Sequence, residues 1–168
     1  LLYIENKLKE LDTTSELYLD YLDAKASVLT LTYNETELIK VIDEGLKLSQ
    51  TYPDKRYHAS FVLYQSILEQ TKGDYEKSLS LVEQALSLAS NSLKGEREDS
   101  LILGNIYSAK GRTYYYAENF EEAAGNWKKA YQLFEQGNYD KLKMVVINDL
   151  GNLASSLGDF EESIRNFE

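Results

Sequence analysis

Between Asn105 and Phe134 the apolar positions recur every three to four residues, the spacing that places side chains on one face of an α-helix, and the recurrence breaks only once. Tyr107, Gly111 and Tyr114 form the first stripe, and Phe120, Ala123, Trp127 and Ala130 form the second. Asn119 stands between them. Asn is a favoured helix N-cap, and Glu122 three positions later is placed to return a hydrogen bond to it. The stretch therefore predicts two amphipathic helices joined by a tight turn. They cross where the small residues Gly111 and Ala123 let two backbones approach.

The remaining segments vary this theme. Leu2, Ile4, Leu8 and Leu11 predict one short leading helix within residues 1–12. Thr13 with Glu16 has capping-box spacing, so a helix is expected from about Ser15 to Thr32. Asn34 with Glu37 opens another through Leu38, Ile42 and Leu46 to about Leu48. Thr51-Tyr52-Pro53-Asp54 predicts a turn, because the residue before proline avoids helical geometry. Tyr57, Phe61, Tyr64 and Leu68 mark the next helix, which Lys72-Gly73 stops. Asp74 caps its successor, which buries Tyr75, Leu79, Val82 and Leu86. The polar run Asn91 to Glu98, with Gly95 inside it, predicts the longest loop. After the central pair, Gly137-Asn138 precedes a helix from about Tyr139 to Leu157, and Gly158-Asp159 opens a last one.

The N-cap candidates Asn34, Asp74, Asn119 and Asp159 lie 40, 45 and 40 residues apart. The same intervals separate Ala26, Ser66, Gly111 and Gly151, the small site of each first helix. They also separate Ile42, Val82, Trp127 and Phe167, the large site of each second helix. Matched intervals across independent landmarks indicate internal repeats, at about residues 13–50, 54–93, 96–136 and 139–168. A helix pair cannot bury its apolar face alone, so neighbouring pairs are expected to stack. The fourth repeat reads as truncated, with Phe160, Ile164 and Phe167 short of cover, and the chain as a piece of a larger protein.

Composition narrows the chemistry. With 168 residues, 43 % of them hydrophobic and 27 % charged, the chain is long enough for one folded domain with a sizeable core. Acidic residues outnumber basic ones by 28 to 18, and a net charge of −10 argues against nucleic acid and anionic membranes as partners. No run of eighteen apolar residues offers a membrane span, and Glu5, Lys7 and Lys9 after Leu1-Leu2 do not read as a signal peptide. The absence of cysteine removes disulfides and thiol chemistry and fits a reducing, cytoplasmic setting. The only histidine, His58, is expected on a helix surface just after the Pro53 turn. Carboxylate pairs such as Asp20 with Asp23 and Glu121 with Glu122 read as solvated helix faces. Gly104, Gly111, Gly125 and Gly151 form no phosphate loop. Asn34-Glu35-Thr36 matches a glycosylation sequon but is also what a helix cap requires. Most of the fourteen tyrosines, including Tyr75, Tyr107 and Tyr114, read as core. No catalytic group, metal site or cofactor is expected.

Tyr107, Gly111, Tyr114, Phe120, Ala123, Trp127 and Ala130 resemble the spaced signature of the tetratricopeptide repeat. Ile147, Leu150-Gly151, Ala154, Gly158-Asp159-Phe160, Ser163 and Phe167 follow the same pattern, as do Gly73-Asp74-Tyr75, Ser78 and Ala85. Leu22, Ala26, Leu38 and Gly45 keep its intervals, with Glu35 where an aromatic is usual. The resemblance covers about Leu19 to Glu168. The usual repeat has about 34 residues, so the longer interval here predicts helices of roughly 18 to 20 residues. Repeats of this length resemble those of bacterial signalling proteins, including intracellular peptide-pheromone receptors and sensor kinases or regulators. The resemblance implies an all-α, right-handed α-solenoid of antiparallel helix hairpins forming a single domain over residues 1–168. It also implies a non-catalytic module that holds a peptide or protein segment in its concave groove. A structural or oligomerisation spacer, and the regulatory half of a kinase or transcription regulator, are the alternatives.

In that family the first helix of each pair lines the concave face, which implies where a ligand would lie. In the central repeat Asn105, Ser108, Arg112 and Tyr115 form a stripe offset from the core stripe, with Tyr116 beside it. In the last repeat Asn148, Asn152 and Ser155 form its equivalent. Asn side chains both donate and accept, which suits a peptide backbone. Arg112 suits a carboxylate, and Tyr115 or Tyr116 suits an apolar side chain. Upstream, Asp20, Asp23 and Ser27 would make the other end of the groove acidic, so the ligand is expected to carry mixed charge.

Overall fold

Polar side chains start most of the helices by capping the first free backbone N–H groups. Ser15 Oγ accepts from the Tyr18 N–H at 3.2 Å, Asn34 Oδ1 from Glu37 at 3.3 Å, Asp54 Oδ1 from Arg56 at 3.0 Å and Asp74 Oδ1 from Lys77 at 3.0 Å. The computed structural model describes residues 1–32 and 34–158. They form α1 (Leu2–Glu10), α2 (Glu16–Leu31), α3 (Glu35–Ser49), α4 (Lys55–Thr71), α5 (Tyr75–Ser90), α6 (Arg97–Tyr116), α7 (Phe120–Gln136) and α8 (Asp140–Ser156). The protein is all-α, with no strand among the described residues. Asp159, Phe160, Ser163, Ile164 and Phe167, expected in the last helix, lie outside the described residues.

Three local expectations change. The cap of α2 is Ser15, not Thr13, because the Asp12 carboxylate takes the Thr14 N–H and hydroxyl, each at 2.8 Å, and closes the preceding turn. Asn119 holds the cap position of α7 but makes no side-chain cap bond, and the turn before it is formed by Glu118 in the left-handed region at φ 59°. A reciprocal capping box does exist, between Glu96 and Asp99. Buried Asp99 Oδ2 accepts from the N–H groups of Lys94, Gly95 and Glu96 at 2.9, 2.7 and 3.0 Å, which ties down the loop 91–96. Helix lengths fall short of expectation: α2 to α5, α7 and α8 have 15 to 17 residues and only α6 reaches 20. The extra length of the repeat therefore resides partly in the connections 50–54 and 91–96.

The helices form two compact units, Leu1–Ser92 and a second beginning at Leu93. In the first, α2 and α3 run antiparallel, since Lys25 reaches Glu37 at 2.9 Å while the earlier Tyr18 reaches the later Glu44 at 2.5 Å. Leu19, Leu22, Ala26, Leu29, Leu38, Val41, Ile42 and Phe61 are the buried core, with Leu8 and Leu11 packed against it. The Phe61 ring lies where a Cβ on Gly45 would stand, so α3 and α4 touch only because that side chain is absent. α4 runs parallel to α2, as Tyr57 pairs with Asp20 and Tyr64 with the backbone of Asp23. α4 and α5 pack as the next pair.

The second unit repeats this arrangement. Gly104 faces Phe134 and Gly111 faces Trp127, so positions descend along α7 as they ascend along α6. Ala123, Trp127, Ala130, Phe134, Val146 and Leu153 form its core. α8 runs parallel to α6: the Arg97 Nε donates to the Gly137 carbonyl at 2.6 Å, and the Tyr115 hydroxyl meets Ser156 at 3.1 Å. The small sites Ala26, Ser66, Gly111 and Gly151 are all buried, as are the large sites Ile42, Val82 and Trp127.

His58 is not a free surface residue. It is half-buried, with Nδ1 at 2.9 Å from Ser49 Oγ. The Ser49 hydroxyl donates to the Gly45 carbonyl at 2.6 Å, which leaves its oxygen to accept from the imidazole N–H. Burial, with Lys55 adding to it, lowers the pKa of His58 from its ordinary value.

Candidate ligand pocket on the second unit

Helical spacing brings Arg112, Tyr115 and Tyr116 of α6 onto the side facing α8, which presents Asp149, Asn152 and Ser156 one turn apart with Ser155 alongside. With Trp127 of α7 they line a cavity of about 400 Å³. Trp127 is only 2 % exposed, and its Nε1 donates to the Ser108 carbonyl at 3.2 Å, which fixes the ring. The Tyr115 ring packs against Trp127, Phe120 and Tyr116, with centroids 5.7, 5.8 and 5.7 Å away. Ser156 donates to the Asn152 carbonyl at 2.9 Å, so its oxygen is left to accept from the Tyr115 hydroxyl. One side of the cavity is thus a rigid aromatic wall. Tyr116, at 54 % exposure, is the part of it most open to solvent.

The charged side of the pocket is looser. Arg112 Nη2 stands 3.8 Å from Asp149 Oδ2, beyond hydrogen-bond reach. That oxygen is buried and has no hydrogen-bond partner among the described residues. Burial raises the pKa of Asp149, and the nearby guanidinium offsets only part of the effect.

Of the residues expected at a ligand surface, the structure gathers Arg112, Tyr115, Tyr116, Asn152 and Ser155. Asn105 is half-buried and Asn148 exposed, and neither lines the pocket. Ser108 does not belong to an open stripe at all: at 7 % exposure it is packed under α7. Asp149, Trp127 and Ser156 were missed. The stripe Asp149, Asn152, Ser156 is as regular as Asn148, Asn152, Ser155, so periodicity alone does not choose between them.

In the first unit Asp20 is exposed and accepts from the Tyr57 hydroxyl at 2.6 Å, with Glu16 at 3.3 Å from the same oxygen. Asp23, expected to be solvated, instead has a buried Oδ1 with no partner. Burial pushes its pKa up to about 6, with a further upward push from Asp20 and a downward one from the Tyr64 and Ser60 hydroxyls. The acidic surface of α2 is therefore Glu16 and Asp20, with exposed Ser27 further along the helix.

No protein-family profile matches the chain, and no curated protein matches it. Among the described residues no group of three or more His, Cys, Asp or Glu side chains is placed to hold a metal ion. No helix of the described residues is long and apolar enough to cross a membrane.

Proposed function

We propose that the chain is a non-catalytic binding module that holds a peptide or protein segment along α6 and α8, anchored in the pocket around Arg112. The observation that carries this reading is the convergence of one guanidinium, a packed aromatic wall, an amide and serine hydroxyls on a single cavity. Such a set suits a ligand carrying an anionic group, an apolar side chain and backbone amides. No group in it is arranged as a nucleophile beside a base, and no cofactor enters the reading.

Support for a tetratricopeptide-like array comes from the bonds between first helices of successive pairs. Within each unit they span nearly one repeat: Tyr64 to Asp23 and Tyr115 to Ser156 are both separated by 41 residues. A cytoplasmic role as the sensing part of a larger bacterial signalling protein follows from the resemblance to long-repeat proteins. Nucleic acid has no place in it, because a net charge of −10 offers no favourable counterion release. A duplex-DNA gel shift at micromolar protein should show no complex, and a salt-sensitive one would overturn that exclusion.

The test begins with selection of displayed random peptides on the immobilised protein. Arg112→Ala combined with Asn152→Ala should weaken a selected peptide by at least about tenfold. Asn105→Ala with Asn148→Ala should change it by less than about twofold. Both pairs should shift stability by under about 1 kcal/mol, as substitutions outside the core do. A selection that returns no binder, or a binder indifferent to Arg112 and Asn152, would show that the pocket is not the recognition site.

A further inference from the structure

Arg112 enters the pocket with one charged neighbour, Asp149, and no hydrogen bond to it. A guanidinium carries five N–H donors in a planar fork that suits a carboxylate, and here that fork is turned on a carboxylate held too far away to bond. Asp149 Oδ2 is in turn cut off from water without a donor of its own. Both groups are left short of partners. A ligand anion drawn to Arg112 must sit close to Asp149, and two carboxylates sharing one site cannot both stay ionised cheaply.

We propose that Asp149 is the specificity residue of this pocket: a ligand carboxylate displaces it from Arg112, and Asp149 takes a proton from solvent as the ligand binds. This rests on the pocket being the recognition site. The proton has no other natural destination among the groups that line the cavity. From α6 they are the guanidinium of Arg112 and the phenols of Tyr115 and Tyr116; from α7 the indole of Trp127; and from α8 the amide of Asn152 and the hydroxyls of Ser155 and Ser156, so Asp149 is the one carboxyl among them. Burial already raises the pKa of this carboxyl, and the push of a bound anion acts in the same direction. Capture of carboxylates is then proton-linked and strengthens as the solution becomes more acidic. A ligand that instead donated a hydrogen bond to Asp149 would prefer the ionised form, and its binding would weaken on acidification.

The opposite signs make the test decisive. Trp127 is the only tryptophan and lines the cavity, so its emission reports occupancy. The probes are N-acetyl-leucyl-glutamate, whose carboxylates remain largely ionised at about pH 5, and the corresponding neutral diamide, N-acetyl-leucyl-glutaminamide. The acid should bind roughly tenfold more tightly at about pH 5 than at about pH 7, the gain for each unit by which it raises the pKa of Asp149. Asp149→Asn should bind the acid at about pH 7 as tightly as the wild type does at about pH 5, with a flat profile. Arg112→Gln should lose the acid, and circular dichroism melting checks that both variants are folded. If the acid binds with the same affinity at both pH values, or Asp149→Asn leaves its pH profile unchanged, the proton-linked displacement is wrong while the pocket stands. If the diamide binds in preference and weakens on acidification, Asp149 is a ligand acceptor and the proposal is overturned. If neither probe binds any variant at either pH, the pocket reading falls, and the proposal with it.

Discussion

Replacing Trp127 by alanine is expected to destabilise the second unit by about 3 to 5 kcal/mol, the range for truncating a fully buried large aromatic. The side chain is 2 % exposed and packs between the backbone of α6 and the ring of Tyr115. Its fit to α6 is close: a Cβ built on Gly111 would stand 2.6 Å from Cδ1 and 2.7 Å from Nε1 of the indole. Ala123 and Ala130, its buried neighbours on the same face of α7, are too short to fill the space that alanine would leave. The loss is therefore transfer energy plus a cavity that relaxes poorly. Urea unfolding followed by circular dichroism should show a lower midpoint. Trp127→Phe should cost clearly less, since it retains most of the packed area. A cost below about 1 kcal/mol for Trp127→Ala would mean that α6 and α7 do not meet through this ring.

The crossing of α6 and α7 was legible in part: Gly111 and Trp127 stood out as small and large sites at matched intervals, but the close approach was expected at Ala123, whereas it is the Trp127 ring that stands against Gly111. A small residue on one helical stripe and a large one on the next, at matched intervals, describe a helix crossing without any knowledge of the rest of the fold. The helices themselves were legible for the same reason, and so were the caps at Asn34 and Asp74, whose chemistry acts within a single turn. Other features were not legible because they depend on where a different helix lies. Ser108 and Ser155 sit on similar stripes, yet Ser108 is buried under α7 and Ser155 is exposed. Asp149 was passed over for Asn148 because only the position of α6 decides which of the two turns towards Arg112. The capping box of Glu96 with Asp99 escaped because the usual signature begins with Ser or Thr. Asp23 escaped because its pairing with Asp20, three residues earlier, reads as a solvated helix face until Tyr64 and Ser60 of α4 are laid over it.

That burial makes Asp23 a site where one substitution should stabilise the protein. Asp23→Asn is expected to raise the stability of the first unit by about 2 to 3 kcal/mol at neutral pH, and to have little effect in acid. The folded-state pKa of about 6 lies above the ordinary 3.8, so the folded protein binds this proton more tightly than the unfolded chain does. The resulting stabilisation is complete below the unfolded value, where both states are protonated. It is lost progressively as the pH rises through the folded value of about 6. Above that, the native protein carries an ionised carboxylate with Oδ1 shut off from water and without a partner. Asparagine keeps the shape and cannot ionise, so it removes the penalty where the penalty exists. Asp20→Asn provides the contrast, because Asp20 is exposed to solvent and already serves Tyr57 as an acceptor. Thermal melts of the three proteins from about pH 4 to about pH 8 should show wild type and Asp23→Asn close together at the acid end, separating as the pH rises towards about 6 and holding a constant gap above it. Equal stability of the two at about pH 8, or a gap that persists undiminished at about pH 4, would mean that Asp23 is not held as a buried carboxyl between α2 and α4.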